Sequence, residues 1–212
     1  KIYRRPATDL CLEFCEENGI EPREHALAYD RFFPNWLSKT DLWENKREIE
    51  RRFKEISERY AGRIRTIEVT NEHEWPLNDT SPLYASDDYI EFCYKLAEKY
   101  FPCNELVINE WSSWRAQGTP RDKYYAIIEN ALLKGLRIDA VGIQFHMFNK
   151  REDEYENTRC EYDPDRLFRI LDLYAKLKIP FQITEVTIPA YSNEEEDEAI
   201  QAELIENLYS IW

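Results

Sequence analysis

Glycine is scarce in this chain, with 5 among 212 residues. That scarcity argues against a turn-rich all-β fold. It also removes the Gly-rich first turn with which a doubly wound sheet cradles phosphate. No CxxC pair exists, and the cysteine count of 5 is odd. Cys11, Cys15, Cys93, Cys103 and Cys160 therefore read as buried thiols rather than disulfide or metal partners. Histidine is limited to His25, His73 and His146, with no HExxH and no HxH, so no metal or other cofactor is expected. The absence of GxSxG, and of any cysteine at an expected strand end, disfavours Ser or Cys nucleophiles. No apolar run is long enough to span a bilayer. The opening Lys1-Ile2-Tyr3-Arg4-Arg5 lacks the apolar stretch of a signal peptide; a processed or truncated start would read the same, so compartment stays open.

What is present is packing material and negative charge. Hydrophobic residues make up 43% and aromatics 14%, enough for one domain with a sizeable core and too much for a disordered chain. The formal net charge of −14 repels phosphate backbones and anionic membranes, so neither nucleic acid nor membrane is an expected partner. A neutral substrate is compatible with that field.

Short apolar runs alternate with long amphipathic ones. Helices are expected from about Ala7 to Asn18, with Leu10, Cys11, Phe14 and Cys15 as the apolar stripe, and from about Leu42 to Tyr60. Further ones are expected after Asp87 or Asp88, from about Pro120 to Lys134, after Asp163-Pro164, and from about Glu194 to Ile211. Strands are expected near Glu24–Tyr29, Ile64–Val69, Leu106–Asn109, Ala140–Phe145 and Phe181–Val186. The strand spacing of roughly 35 to 40 residues suits βα units. The acidic run from Glu194 to Asp197 reads as a solvated helix N-terminus. A (β/α)8 TIM barrel is the expected class. Five strands do not close eight, so the chain is either a partial barrel or an open, altered one.

Barrel enzymes gather their reacting groups at the C-terminal strand ends. Those ends carry His25, Asn71-Glu72, Asn109-Glu110-Trp111, Gln144 with His146, and Glu185. Hydrolysis of a glycosidic bond needs two carboxyl groups across the scissile bond. Glu72 and Glu185 suit that work because each ends a strand. Asn71 can hydrogen-bond a sugar hydroxyl, and Trp111 can stack on a sugar face.

At these residues the sequence resembles glycoside hydrolase family 10, the retaining endo-β-1,4-xylanases. Glu24-His25-Ala26-Leu27-Ala28-Tyr29-Asp30 resembles the family's GHTLVWH, and Phe33-Pro34-Asn35-Trp36-Leu37 its LPxWL. Arg59-Tyr60-Ala61-Gly62-Arg63-Ile64 is similar to RYKGKI, and Glu68-Val69-Thr70-Asn71-Glu72 to DVVNE. Leu106-Val107-Ile108-Asn109-Glu110-Trp111 resembles LYINDYN, Gly142-Ile143-Gln144-Phe145-His146 resembles GxQSH, and Ile183-Thr184-Glu185-Val186-Thr187 resembles ITELD. The resemblance implies a single catalytic domain over 1–212 that supplies about strands 3 to 7 and lacks the first two and the last. It implies Glu72 as acid/base, Glu185 as nucleophile, and retention through a glycosyl-enzyme with the carboxyls about 5 to 5.5 Å apart. His25, Tyr29, Asn71, Asn109, Trp111, Gln144 and His146 would bind substrate or hold the nucleophile. The implied substrate is plant cell-wall xylan or its oligosaccharides, and the implied location is extracellular. Two departures stand out. Tyr29-Asp30 replaces Trp-His, and Thr187 replaces an Asp that lies near the histidine matching His146. Alternatives are a catalytically weak carbohydrate-binding relative and an inactive fragment of a larger modular enzyme.

Overall fold

A computed structural model describes residues 5–73, 81–111, 114, 122–148 and 150–212. Seven helices and five strands are found among them: α1 (Arg5–Asn18), β1 (Arg23–Glu24), α2 (Leu42–Tyr60), β2 (Thr66–Asn71), α3 (Tyr89–Tyr100), β3 (Glu105–Glu110), α4 (Lys123–Leu133), β4 (Ala140–His146), α5 (Glu154–Glu161), α6 (Pro164–Ala175), β5 (Phe181–Thr187) and α7 (Glu195–Ile211). Strand order follows chain order, β1-β2-β3-β4-β5. The β1–β2 and β4–β5 pairings are parallel, as crossover helices require. No helix among the described residues is long and apolar enough to cross a membrane. The expected start of α4 at Pro120 lies outside the described residues; its cap is Asp122, which accepts from Tyr125 N–H at 3.1 Å.

The chain divides into two compact units, 1–108 with 136–139, and 109–135 with 140–212. In the first, α2 begins at Asp41, whose carboxylate accepts from Glu44 N–H at 3.0 Å. Ile49, Phe53 and Tyr60 form its buried stripe, and Phe53 meets Phe101 edge to face at 6.4 Å. β2 starts two residues later than its apolar pattern suggests. Ile64 still belongs to the helix exit, its N–H donating to Tyr60 O at 3.0 Å. All six β2 residues are buried. β1 is shorter than the expected strand. Its pairing stops at Glu24, then resumes where Leu27 and Ala28 N–H donate to Glu68 and Val69 carbonyls.

The expected stripe on α1 is corrected. Leu10 and Phe14 are 63% and 58% exposed, and Cys11 is exposed; of the expected stripe only Cys15 is buried, and Leu12 is buried beside it. Leu12 and Cys15, at i and i+3, form the inward face, and the same side of the helix carries Asp9 and Glu16, which pair with Arg59 and with Arg63 Nε at 2.7 Å. The thiol expectation holds for Cys15 and Cys93 and fails for Cys11, Cys103 and Cys160, which are exposed; all five are free. Asp88 does sit at the start of α3, but its carboxylate is taken by Lys46 Nζ at 2.5 Å rather than capping the helix.

In the second unit, Asp163 caps α6 through Asp165 N–H at 3.1 Å with Pro164 in the first turn. Leu167, Ile170, Leu173 and Tyr174 form its buried face. Tyr174 meets Tyr124 at 5.9 Å, and Tyr124 donates to Gly142 O at 2.9 Å, tying α4 and α6 to β4. The acidic start of α7 is not wholly solvated. Asp197 is buried and accepts from Ser192 and from Arg151, whose Nη1 is 2.7 Å away.

Candidate active-site groups

Asn71 closes β2 fully buried, and its N–H donates to Ala28 O at 3.2 Å. Glu72 follows with φ +52°, a left-handed conformation uncommon for a residue with a side chain. The turn is pinned by the Tyr84 hydroxyl, which donates to the Glu72 carbonyl. The Glu72 carboxylate accepts from Tyr29 Oη at 2.5 Å and lies 3.5 Å from Arg31 Nε. Tyr29 thus binds the candidate acid/base itself. Asp30, its neighbour, accepts from Ser81 N–H at 3.0 Å and serves a loop contact.

Beneath Glu72, Glu68 has a side chain only 2% exposed. Its two oxygens take Arg23 Nε at 2.6 Å and His25 Nδ1 at 2.5 Å. A carboxylate can only accept, so Nδ1 carries the His25 proton toward Glu68. Glu24 sits beside this pair. Burial pushes its carboxyl up to about 8; the Arg52 and His25 charges pull it down, and the Glu68 charge pushes it further up.

In the second unit, β5 carries Glu185 into register with Gln144, and Thr187 with His146. Ile143 pairs with Ile183 but Gln144 pairs with Glu185, so Thr184 is one residue too many. A bulge of this kind re-aims side chains. Consecutive strand residues ordinarily point to opposite faces. Here Thr184 and Glu185 both reach Asn109: Thr184 Oγ1 donates to Asn109 Oδ1 at 2.6 Å, and Asn109 Nδ2 donates to Glu185 Oε1 at 3.0 Å. The other carboxylate oxygen, Oε2, lies 3.4 Å from His146 Nε2. His146 Nδ1 lies 2.8 Å from Thr187 Oγ1, and its ring stacks on Phe148 at 4.6 Å. Gln144 is buried. Trp111 is half-buried just past β3, its N–H donating to Glu110 Oε1 at 2.9 Å.

The first unit therefore brings together Tyr29, Asn71 and Glu72 with His25 close by in sequence and strand pairing. The second brings together Asn109, His146 and Glu185, with Gln144 in register. Sequence reasoning missed Glu68, Arg23, Arg31, Tyr84 and Thr184. Glu68 had a signal, a charged residue inside a strand whose neighbours are apolar. Tyr84 had none, since it precedes α3 in a stretch without periodicity.

Comparison with known proteins gives a consistent answer. The sequence profile of glycosyl hydrolase family 10 matches residues 3–211. Endo-1,4-beta-xylanase B of Neocallimastix patriciarum is 22% identical over 88% of this chain and 22% of its own length. Endo-1,4-beta-xylanase A of Thermotoga neapolitana is 28% identical over 68% of this chain and 15% of its own length. The chain thus spans less than a quarter of these two relatives. Among solved structures, native xylanase 10B from Thermotoga maritima superposes with TM-score 0.78 at 23% identity, covering 100% of this chain and 64% of that one. Xylanase XynB from Paenibacillus barcinonensis gives 0.77 at 20% identity, covering 99% and 66%.

Proposed function

The chain belongs to glycosyl hydrolase family 10 and shares part of the (β/α)8-barrel fold of its solved members, and from that premise we propose that it supplies the catalytic carboxylates of a retaining endo-β-1,4-xylanase. Glu72 is the acid/base and Glu185 the nucleophile, in one catalytic domain to which this chain contributes about strands 3 to 7. The observation that carries the reading is the handling of Glu185. A carboxylate used only as a solvated surface charge needs no holders. This one follows a bulge, accepts a hydrogen bond from Asn109 on one oxygen and faces His146 Nε2 at 3.4 Å with the other.

Double displacement then follows from the chemistry of the two groups. Glu185 attacks the anomeric carbon and forms a glycosyl-enzyme while Glu72 protonates the leaving oxygen. Glu72 next takes a proton from water, which attacks and releases the sugar with retained configuration. Asn71, His25, Tyr29, Gln144 and Trp111 hold the sugar. Xylan or its oligosaccharides is the proposed substrate, supported by the xylanase names of the relatives and by a solved relative in complex with xylotriose. An extracellular location follows from that substrate.

The test is hydrolysis of xylan and an aryl β-xyloside by the protein carrying this chain, with Glu185→Gln and Glu72→Gln beside it. Both variants should lose activity by at least about a thousandfold on xylan, and the first product should keep the β configuration. Wild-type protein that binds xylan without cleaving it would favour the carbohydrate-binding alternative. The observation behind that alternative is Tyr29, whose hydroxyl already occupies Glu72 Oε2.

A further inference from the structure

Each oxygen of Glu185 faces a side chain that is in turn met by a threonine hydroxyl. Thr184 donates to the Asn109 carbonyl, which orients the Asn109 amide so that its N–H points at Oε1. On the other side, Thr187 meets His146 Nδ1 at 2.8 Å while His146 Nε2 faces Oε2 at 3.4 Å. The two ring nitrogens differ in what their partners allow. A carboxylate only accepts, so Oε2 is matched by a proton on Nε2; a hydroxyl both donates and accepts, so it can serve a bare Nδ1.

We propose that Thr187 is a positioning residue, whose hydroxyl donates to His146 Nδ1 and locks the ring as the neutral Nε2–H tautomer aimed at Glu185. The kinetic consequence rests on reading Glu185 as the nucleophile; the tautomer does not. In this arrangement Glu185 accepts a hydrogen bond from Asn109 on Oε1 and faces the Nε2–H of His146 across 3.4 Å on Oε2. A carboxylate at position 187 would instead favour the imidazolium, as a nearby negative charge does. The bulge makes the device possible: it sets Thr187 opposite His146 and Glu185 opposite Gln144 in the same ladder.

The experiment is ring nitrogen-15 NMR of histidine-labelled full-length protein at neutral pH, with the His146 signals assigned by their loss in His146→Gln. One bare and one protonated nitrogen, with the proton on Nε2, is the expected result. Thr187→Ser should keep that pattern and near-wild-type kcat. Thr187→Val should lose the fixed tautomer and lower kcat about fivefold with KM little changed, the value of roughly one neutral hydrogen bond. Thr187→Asp should show both nitrogens protonated. Two protonated nitrogens in the wild type, a proton on Nδ1, or a Thr187→Val protein with unchanged spectrum and kcat would overturn the proposal. Glu185→Gln keeps the two readings apart: retained activity there removes the nucleophile assignment and leaves the ring spectrum to decide the tautomer.

Discussion

Glu24 offers a prediction whose size follows from its surroundings. Glu24 is half-buried on β1 beside β2, and one of its carboxyl oxygens, Oε2, is enclosed without a hydrogen-bond partner. Burial moves its ionisation from the ordinary 4.5 to about 8, despite the opposing charge of Arg52. Arg52 is spent elsewhere, donating through Nε to Leu27 O at 2.8 Å and through Nη2 to Ala26 O at 3.3 Å. The sign is fixed by proton counting. Between pH 4.5 and 8 the unfolded chain has lost this proton and the folded chain keeps it, so stability falls as pH rises. The contribution is fully present below 4.5 and gone above about 8. At about 1.4 kcal/mol per pH unit, the accumulated loss is on the order of 5 kcal/mol, a large share of a typical domain's stability. Glu24→Gln keeps the shape and removes the proton. Urea unfolding of both proteins at about pH 4.5, 6 and 8.5 should show a gap that is constant in acid and then opens in favour of the variant. Parallel stability curves, or a gap opening in favour of the wild type, would refute the reasoning.

Other consequences are equally specific. Tyr29→Phe removes the hydroxyl that binds Glu72 Oε2 and should lower kcat/KM on an aryl β-xyloside by about tenfold or more, the value of a hydrogen bond to a charged group; an unchanged value would leave Tyr29 a bystander. Asn104→Ala strips the amide that donates to Ala61 O at 2.8 Å and Ile64 O at 2.6 Å, and should cost about 2 to 4 kcal/mol in urea unfolding. Phe53→Ala, at a fully buried position, should cost about 3 to 5 kcal/mol in the same assay. The Asp197 carboxyl is held below its ordinary 3.8 by the Ser192 hydroxyl and then by Arg151. Its contribution is therefore present above 3.8 and lost as acid drives the pH through the lower folded value; Asp197→Asn should be less stable than wild type above 3.8 and converge with it in stronger acid.

Long elements with clear ends were legible in the sequence because local chemistry alone sets them. Asp41 and Asp163 accept from the first-turn amides of α2 and α6, so those boundaries could be read directly. Packing direction was not local. The α1 stripe of Leu10 and Phe14 has good helical spacing, yet the face that turns inward is that of Leu12 and Cys15, beside the ion pairs of Asp9 and Glu16 with Arg59 and Arg63. Those partners lie about forty to fifty residues away, beyond any periodicity window. Asp88 shows the same limit, since Lys46, from another helix, claims its carboxylate.

The candidate site divides along the same line. Glu72 and Glu185 could be named because a carboxylate at the end of an apolar strand is visible in one dimension. Their holders could not, because a holder is defined by register. Strict alternation would set Thr184 and Glu185 on opposite faces; the slip between Ile143 and Gln144 lets both reach Asn109. In the register beyond the slip, Thr187 lies opposite His146 as its hydrogen-bond partner. A substitution that reads as a loss in the sequence is thus, in the ladder, an exchange of a charged acceptor for a neutral donor. Its effect belongs to the protonation of one ring nitrogen rather than to the presence or absence of the site.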